Sequence, residues 1–289
     1  MKLTELLQRL NALHQTSFTS FEKFPVGEQG AYTITDQTGK KYVLKWAPGA
    51  KNLSWMQKAK TVTELLRSLD YPASHYLFIG GLPEGIYSIQ DVLPGSPIQT
   101  MTPALLPRLF ELNRLQLGRA ISGRTDWHQE VVKTVLLGGD GYCIHTSLQQ
   151  HSQVTVDILR TLQSLVTAYR DEPHSSNDIV HGDFQHANIL VQDEQISGVV
   201  DWDSFGAGDC IFDIATLLFY AYDNLKVRKQ LWDYALSQAS LKLLSIYLAH
   251  MILRQIDWSL CYHDQSTGEH YIKRGQMLLQ EITYRLNLA

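Results

Sequence analysis

Ile179-Val180-His181-Gly182-Asp183-Phe184-Gln185-His186-Ala187-Asn188-Ile189-Leu190-Val191, followed after a short turn by Gly198-Val199-Val200-Asp201-Trp202-Asp203, is the stretch that decides the fold. Apolar residues flank both polar clusters. The pattern sets an acid at a strand-to-loop junction, an amide five residues later, then a β-hairpin, then a second acid. Asp and Asn in loops are commonly turn formers, because their side chains bond the local backbone. That explanation suffices for one such residue. It does not suffice for three arranged around a hairpin and followed by Asp209 and Asp213.

Phosphoryl transfer needs this set of groups. One carboxylate orients the acceptor hydroxyl and takes its proton, while a second carboxylate and an amide oxygen hold Mg²⁺ on the phosphates. Oxygen donors suit that cation. Asp183, Asn188 and Asp201 fit the three tasks in order.

The run H-G-D-x-x-x-x-N-I-L over residues 181–190, with V-D-W-D over 200–203, resembles the signature of the aminoglycoside phosphotransferase and choline kinase superfamily. Gly208-Asp209-Cys210-Ile211-Phe212-Asp213-Ile214-Ala215 is similar to that family's G-D-P-x-x-D-L-A, with Cys210 where proline is usual. The close resemblance covers residues 179–217. It implies an α+β, bilobal, protein-kinase-like fold: a small antiparallel-sheet lobe over 1–94 that binds nucleotide, and a larger, mostly helical lobe over 95–289 with the catalytic and acceptor site. It also implies that Asp183 is the catalytic base and that Asn188 and Asp201 are the metal ligands. Asp203 would act through a metal-bound water or the acceptor, and Asp213 and His181 would brace the catalytic loop.

Outward from the motif, the pattern agrees with that layout. Leu3, Leu6, Leu7, Leu10 and Leu13 recur at helical spacing, which predicts an amphipathic helix over 2–14. Residues 31–35 and 41–46 read as strands around an Asp36-Gln37-Thr38-Gly39 turn. A helix is expected over 53–69, ended by Tyr71-Pro72. Strands over 76–79 and 86–92 flank an expected Gly80–Gly85 turn, and Pro94-Gly95-Ser96-Pro97 marks the lobe junction. Helices are expected at 103–117, 154–170, 211–222, 226–237, 240–262 and 265–286. Residues 118–150 have weak periodicity and receive no element.

The first lobe is expected to supply the nucleotide site. Lys45 interrupts an apolar strand, Tyr42-Val43-Leu44-Lys45-Trp46, and burying an ammonium without a partner is costly. The kinase scheme gives it phosphate oxygens and a helix carboxylate, for which Glu64 is the candidate. Its alternative is a lysine snorkelling from a strand edge. For Glu64 the alternative is a solvated helix face. Gly27, in Val26-Gly27-Glu28-Gln29-Gly30, permits close backbone approach to phosphates. Gln90-Asp91-Val92-Leu93 is the expected hinge at the adenine edge.

Bulk properties narrow the classes. The 289 residues are 44% hydrophobic and 19% charged, and the net charge of -4 argues against a dedicated nucleic-acid binder. Three scattered cysteines give neither zinc-ligand spacing nor a disulfide framework, so a reducing, cytoplasmic setting is expected. No stretch approaches ~18 uninterrupted apolar residues, and the start of the sequence does not read as a secretory signal.

The function expected is an ATP- or GTP-dependent, Mg²⁺-dependent kinase of a small-molecule hydroxyl, working as monomer or homodimer without membrane or nucleic acid. The expected acceptor is of aminoglycoside type, with a choline, homoserine or macrolide type as the alternative. Asp203, Asp209, Asp257 and Glu269 suggest a cationic acceptor. The competing enzyme class is a metal-dependent hydrolase on His181, Asp183 and His186, which needs a transition metal and no ATP. A pseudokinase is disfavoured because Lys45, Asp183, Asn188 and Asp201 are all present. A protein kinase is disfavoured because no D-F-G or A-P-E segment follows Asp201.

Overall fold

The computed structural model describes residues 3–23, 31–121 and 126–288. Gly27 lies outside the described residues. Two compact units emerge: residues 1–96 with 190–203, and residues 97–189 with 204–289.

The first unit is built on a five-stranded antiparallel sheet. Its strands are β1 (Phe18–Lys23), β2 (Ala31–Asp36), β3 (Lys41–Pro48), β4 (Tyr76–Leu82) and β5 (Gly85–Asp91), in the order β1-β2-β3-β5-β4. Helix α1 (Leu3–His14) buries Leu6, Leu7 and Leu10 in one cluster with Phe18, Ile34, Leu44, Tyr87 and Ile89. Leu13, expected on the same stripe, is instead exposed. The β2–β3 turn forms as the sequence predicts. Asp36 Oδ1 accepts from the backbone N–H groups of Thr38 and Lys40, and Gly39 takes a positive φ of 86°. Gly80 and Gly81, expected in a turn, lie within β4. A Cβ on Gly80 would come within 2.3 Å of the Tyr87 hydroxyl, so the glycine makes room for a buried tyrosine that bonds His14. Helix α2 (Ser54–Arg67) buries Met56, Ala59, Val62, Thr63 and Leu66. The hairpin Ile189–Gln192/Gln195–Val199 is fastened to this unit where the Val199 N–H donates to Pro72 O at 2.7 Å.

The second unit is helical: α3 (Leu106–Leu115), α4 (Trp127–Leu137), α5 (His145–His151), α6 (Gln153–Tyr169), α7 (Ile211–Tyr220), α8 (Leu225–Gln238), α9 (Leu241–Tyr262) and α10 (Gln265–Leu288). Helix α9 is its axis, packing against α4, α5, α6, α7, α8 and α10. Helices α4 and α5 lie in the stretch whose period is unreadable. Both depend on caps. Asp126 accepts from His128 N at the start of α4, and Asp257 of α9 accepts from Ile144 N and Ser147 Oγ at the start of α5. All three cysteines are free. Among the described residues, no helix is long and apolar enough to cross a membrane.

His250, in the middle of α9, is fully enclosed. Burial first, and the nearby Arg254 charge second, push its pKa down to about 3. An unfolded-chain histidine takes a proton near pH ~6.5, whereas the folded one stays neutral down to about 3. Acidification below pH ~6.5 therefore favours the unfolded chain, by at most ~1.4 kcal/mol per pH unit. His250→Gln should destabilise at pH 7 and show less of this slope. The gap in unfolding free energy between wild type and variant is expected to narrow as pH falls from 6 to 4.5. A gap independent of pH in denaturant titrations would show that His250 is not the group responsible.

Candidate active site

The second unit carries the catalytic loop between the short strand Asp178–Val180 and Asn188. Asp213, in the first turn of α7, anchors it. Its carboxylate accepts from the N–H groups of His181 (2.9 Å) and Gly182 (3.1 Å), and from Gln116 Nε2 (2.7 Å). Burial raises the Asp213 pKa, and these bonds oppose that shift. His181 Nδ1 accepts from Asp183 N at 3.2 Å, so Asp213 and His181 both hold the loop backbone. Gly182 has φ +81°, and a Cβ there would meet Ser204 O at 2.5 Å. Only glycine fits.

Asp183 emerges from this frame surrounded by donors. Its Oδ1 accepts from Arg254 Nη2 at 2.7 Å, and its Oδ2 accepts from Asn188 Nδ2 at 2.9 Å and Gln185 Nε2 at 3.0 Å. Asn188 Nδ2 also donates to Asp183 O at 2.9 Å. Those two bonds fix the amide so that its carbonyl oxygen points away from Asp183. Asp183 and Asn188 are therefore brought together as the motif spacing implied. Arg254 is the charged partner that the sequence did not reveal as such.

Cys210, at the usual proline position, keeps an N–H that proline lacks. It donates to Asp178 Oδ2 at 3.3 Å, and Cys210 O accepts from Asn113 Nδ2. Beside the loop lies a cavity of about 180 Å³ with Gln99, Thr100, His186, Tyr220 and Asp223 in its wall. Burial, then Arg274, lowers the pKa of His186, which favours a neutral imidazole. Asp223 is ion-paired with Arg274.

In the first unit, Lys45 of β3 forms two close ion pairs, 2.6 Å to Asp201 Oδ1 and 2.7 Å to Asp203 Oδ2. Burial works against its charge, but the two carboxylates more than offset this, and its pKa is raised. Asp201 has φ +65°, a left-handed conformation that costs an aspartate ~1 kcal/mol or more. Such a conformation persists only where the surrounding structure holds it.

Glu64 is not the partner of Lys45. It lies off the buried stripe of α2, half-exposed, 3.6 Å from Lys60. Asp203 takes the place expected for it. Glu64→Gln should accordingly leave ATP affinity within about twofold and the melting temperature unchanged, since an exposed i,i+4 pair contributes only ~0.3–0.5 kcal/mol. Calorimetric titration with ATP checks this, and a tenfold loss would restore Glu64 to the site. Gln90 is buried on β5, its amide donating to Ser88 Oγ, and Val92 lies just past the strand, exposed.

The four acids that suggested a cationic acceptor are largely engaged within the chain. Asp203 holds Lys45, Asp209 accepts from Ile211 N at the start of α7, and Asp257 caps α5. Glu269 accepts from Gln265 at the surface. Trp258 packs against Tyr262, with ring centroids 4.3 Å apart.

Solved structures share this fold. A thermostable variant of the aminoglycoside phosphotransferase APH(4)-Ia aligns with a TM-score of 0.72 at 19% identity, over 95% of this chain and 98% of that one. Choline kinase LicA from Streptococcus pneumoniae aligns at 0.70 and 13% identity, over 97% and 100%. Amicoumacin kinase hAmiN, in complex with AMP-PNP and Ca²⁺, aligns at 0.65 and 13%, over 95% and 93%. The model of the phosphotransferase enzyme family matches residues 20–239, most of the sequence and all of the motif described above, and the chain belongs to that family.

Proposed function

We propose that the chain is a small-molecule kinase that moves the γ-phosphoryl group of ATP onto an acceptor hydroxyl, with Mg²⁺ as the metal. GTP is the alternative donor. The observation that carries this reading is Asp183, fixed on three sides by Arg254, Asn188 and Gln185, on a loop whose His186 lines a cavity. A carboxylate so held is suited to orient a hydroxyl and accept its proton. Lys45, charged and already holding two carboxylates, is suited to α- and β-phosphate oxygens. Gln90 to Leu93 is the proposed hinge at the adenine.

The donor set fits a hard divalent cation. Asn188 and Asp201 are the proposed ligands, each offering oxygen; within the first unit, Asp203 Oδ1 is a buried oxygen with no hydrogen-bond partner among the described residues. Bound there, the cation would supply charge neutralisation on the phosphates. Solved relatives have been captured with such ligands: a thermostable APH(4)-Ia variant holds ADP and hygromycin B, and hAmiN holds AMP-PNP and Ca²⁺.

For the acceptor we favour a hydroxylated molecule of low net charge. The wall of the cavity offers amides, hydroxyls and a neutral imidazole, and its acid Asp223 is matched by Arg274. A screen of hydroxylated small molecules for acceptor-dependent ADP release tests the whole reading, with neutral polyols set against polyamines. Release driven only by polyamines, and weakened by salt, would overturn the acceptor class. Turnover that needs a transition metal and no nucleotide would overturn the kinase and favour the hydrolase.

A further inference from the structure

Arg254 sits midway along α9, in a helix otherwise buried around it, and its side chain is 22% exposed. Its guanidinium is not spent on a neighbouring helix. Nη1 donates to Gly182 O at 2.9 Å and Nη2 to Asp183 Oδ1 at 2.7 Å. One rigid fork thus holds both the carboxylate of Asp183 and the carbonyl of the residue before it, from more than 70 residues away. Tyr220, in the cavity wall, lies within electrostatic reach of both Arg254 and Asp183.

Counting lone pairs gives the consequence. A carboxylate oxygen has two acceptor sites in its plane. Both sites on Asp183 Oδ2 are filled, by Asn188 and Gln185. Among the described residues Oδ1 accepts from Arg254, which occupies one of its two sites. A hydroxyl that meets Asp183 must donate to the other, with the guanidinium at its side.

We propose that Arg254 is the positioning residue of the transfer: it turns Asp183 so that the second acceptor site of Oδ1 faces the incoming hydroxyl. The inference rests on Asp183 being the base. In the step it serves, the hydroxyl proton passes to Asp183 Oδ1 as the acceptor oxygen bonds to the γ-phosphorus. The bond from that phosphorus to its bridging oxygen breaks, and ADP leaves with the electron pair. Asp183 then returns the proton to solvent. Lysine cannot replace the fork, because a point charge does not bridge two oxygens in a fixed geometry.

The test compares wild type, Arg254→Met, Arg254→Lys, Arg254→Ala and Asp183→Asn. Mg·ATP turnover with water as acceptor is followed at saturating ATP, alongside ADP affinity by calorimetry and thermal melting. Arg254→Met is expected to lower kcat ~10²-fold while the Kd for ADP stays within about twofold. Arg254→Lys should recover only a small part of kcat. Guanidinium chloride at millimolar, non-denaturing concentration should restore part of the turnover of Arg254→Ala and do nothing for Asp183→Asn. Wild-type kcat in Arg254→Met overturns the proposal. So does a loss of kcat that comes with lost ADP affinity and no guanidinium rescue, since that marks a purely structural arginine. If Asp183→Asn itself turns over normally, the base assignment fails, whatever Arg254 does. A wild-type chain with no Mg·ATP turnover under any condition overturns both.

Discussion

Asp183→Asn is expected to lower kcat ~10²–10⁴-fold with the best acceptor, the usual cost of removing a general base, while ADP affinity is nearly unchanged. The asparagine keeps an oxygen for one hydrogen bond but carries no charge and cannot take the proton. A second effect comes from Arg254. Its guanidinium is largely buried, and it is ion-paired with Asp183, itself 15% exposed. With the carboxylate gone, the cation keeps Gly182 O and loses its counter-charge. A stability loss on the order of 2 kcal/mol should follow, smaller than for a fully buried pair because the amide oxygen still accepts. Kinetics and denaturant titration on the same sample separate the two effects. A variant with near-normal kcat for any acceptor would end the assignment of Asp183 as base.

The sequence made the motif legible because its chemistry is local. Asp183 and Asn188 are five residues apart on one loop, and the bond between them follows from that spacing. The bracing role of Asp213 came from the family resemblance and not from local spacing, and its carboxylate does accept from the loop N–H groups of His181 and Gly182. The sheet was legible wherever alternation ran for several residues. It failed for Phe18–Lys23, where only Phe18 is buried and no period-two pattern exists. It failed too for the three-residue strand Gly206–Gly208, which is too short to show a period.

What escaped was set by distance along the chain. Arg254 is one of 25 Lys and Arg residues, and nothing local distinguishes a guanidinium that reaches Asp183 from one in solvent. Glu64 illustrates the converse error. Helix α2 has a buried stripe, and an acid two residues away from Val62 points off it, yet the expectation of a helix carboxylate was stronger than the spacing. Asp203 was in view but was given a metal or acceptor role, since a pairing across 158 residues with Lys45 has no sequence signal. Helices α4 and α5 are held by caps, one of them from Asp257 more than a hundred residues downstream, so their own periodicity had little to report.

The Lys45 contacts change what its removal should do. A snorkelling lysine replaced by methionine would keep its packing and leave the protein unaffected or slightly stabilised. Here Lys45 stands between two carboxylates, and Lys45→Met would leave Asp201 and Asp203 facing each other without a cation. Both acids are partly exposed, 47% and 34% at the side chain, so solvent screens part of the repulsion. A destabilisation of about 1–2 kcal/mol is the expected scale, against ~3–5 for a fully buried broken pair. Two controls identify its origin. Asp203→Asn in the Lys45→Met background should recover most of the lost stability, because it removes one of the two like charges. Added Mg²⁺ should raise the melting temperature of Lys45→Met more than that of wild type, because a cation then fills the position vacated by the ammonium. Activity should fall for a separate reason, the loss of a positive partner for the phosphates, and should appear as a raised KM for ATP or a lowered kcat that Mg²⁺ does not restore. Lys45→Met that melts like wild type and responds no more strongly to Mg²⁺ would show that the two ion pairs contribute nothing to the fold. Wild-type kinetics in the same variant would remove Lys45 from the nucleotide site.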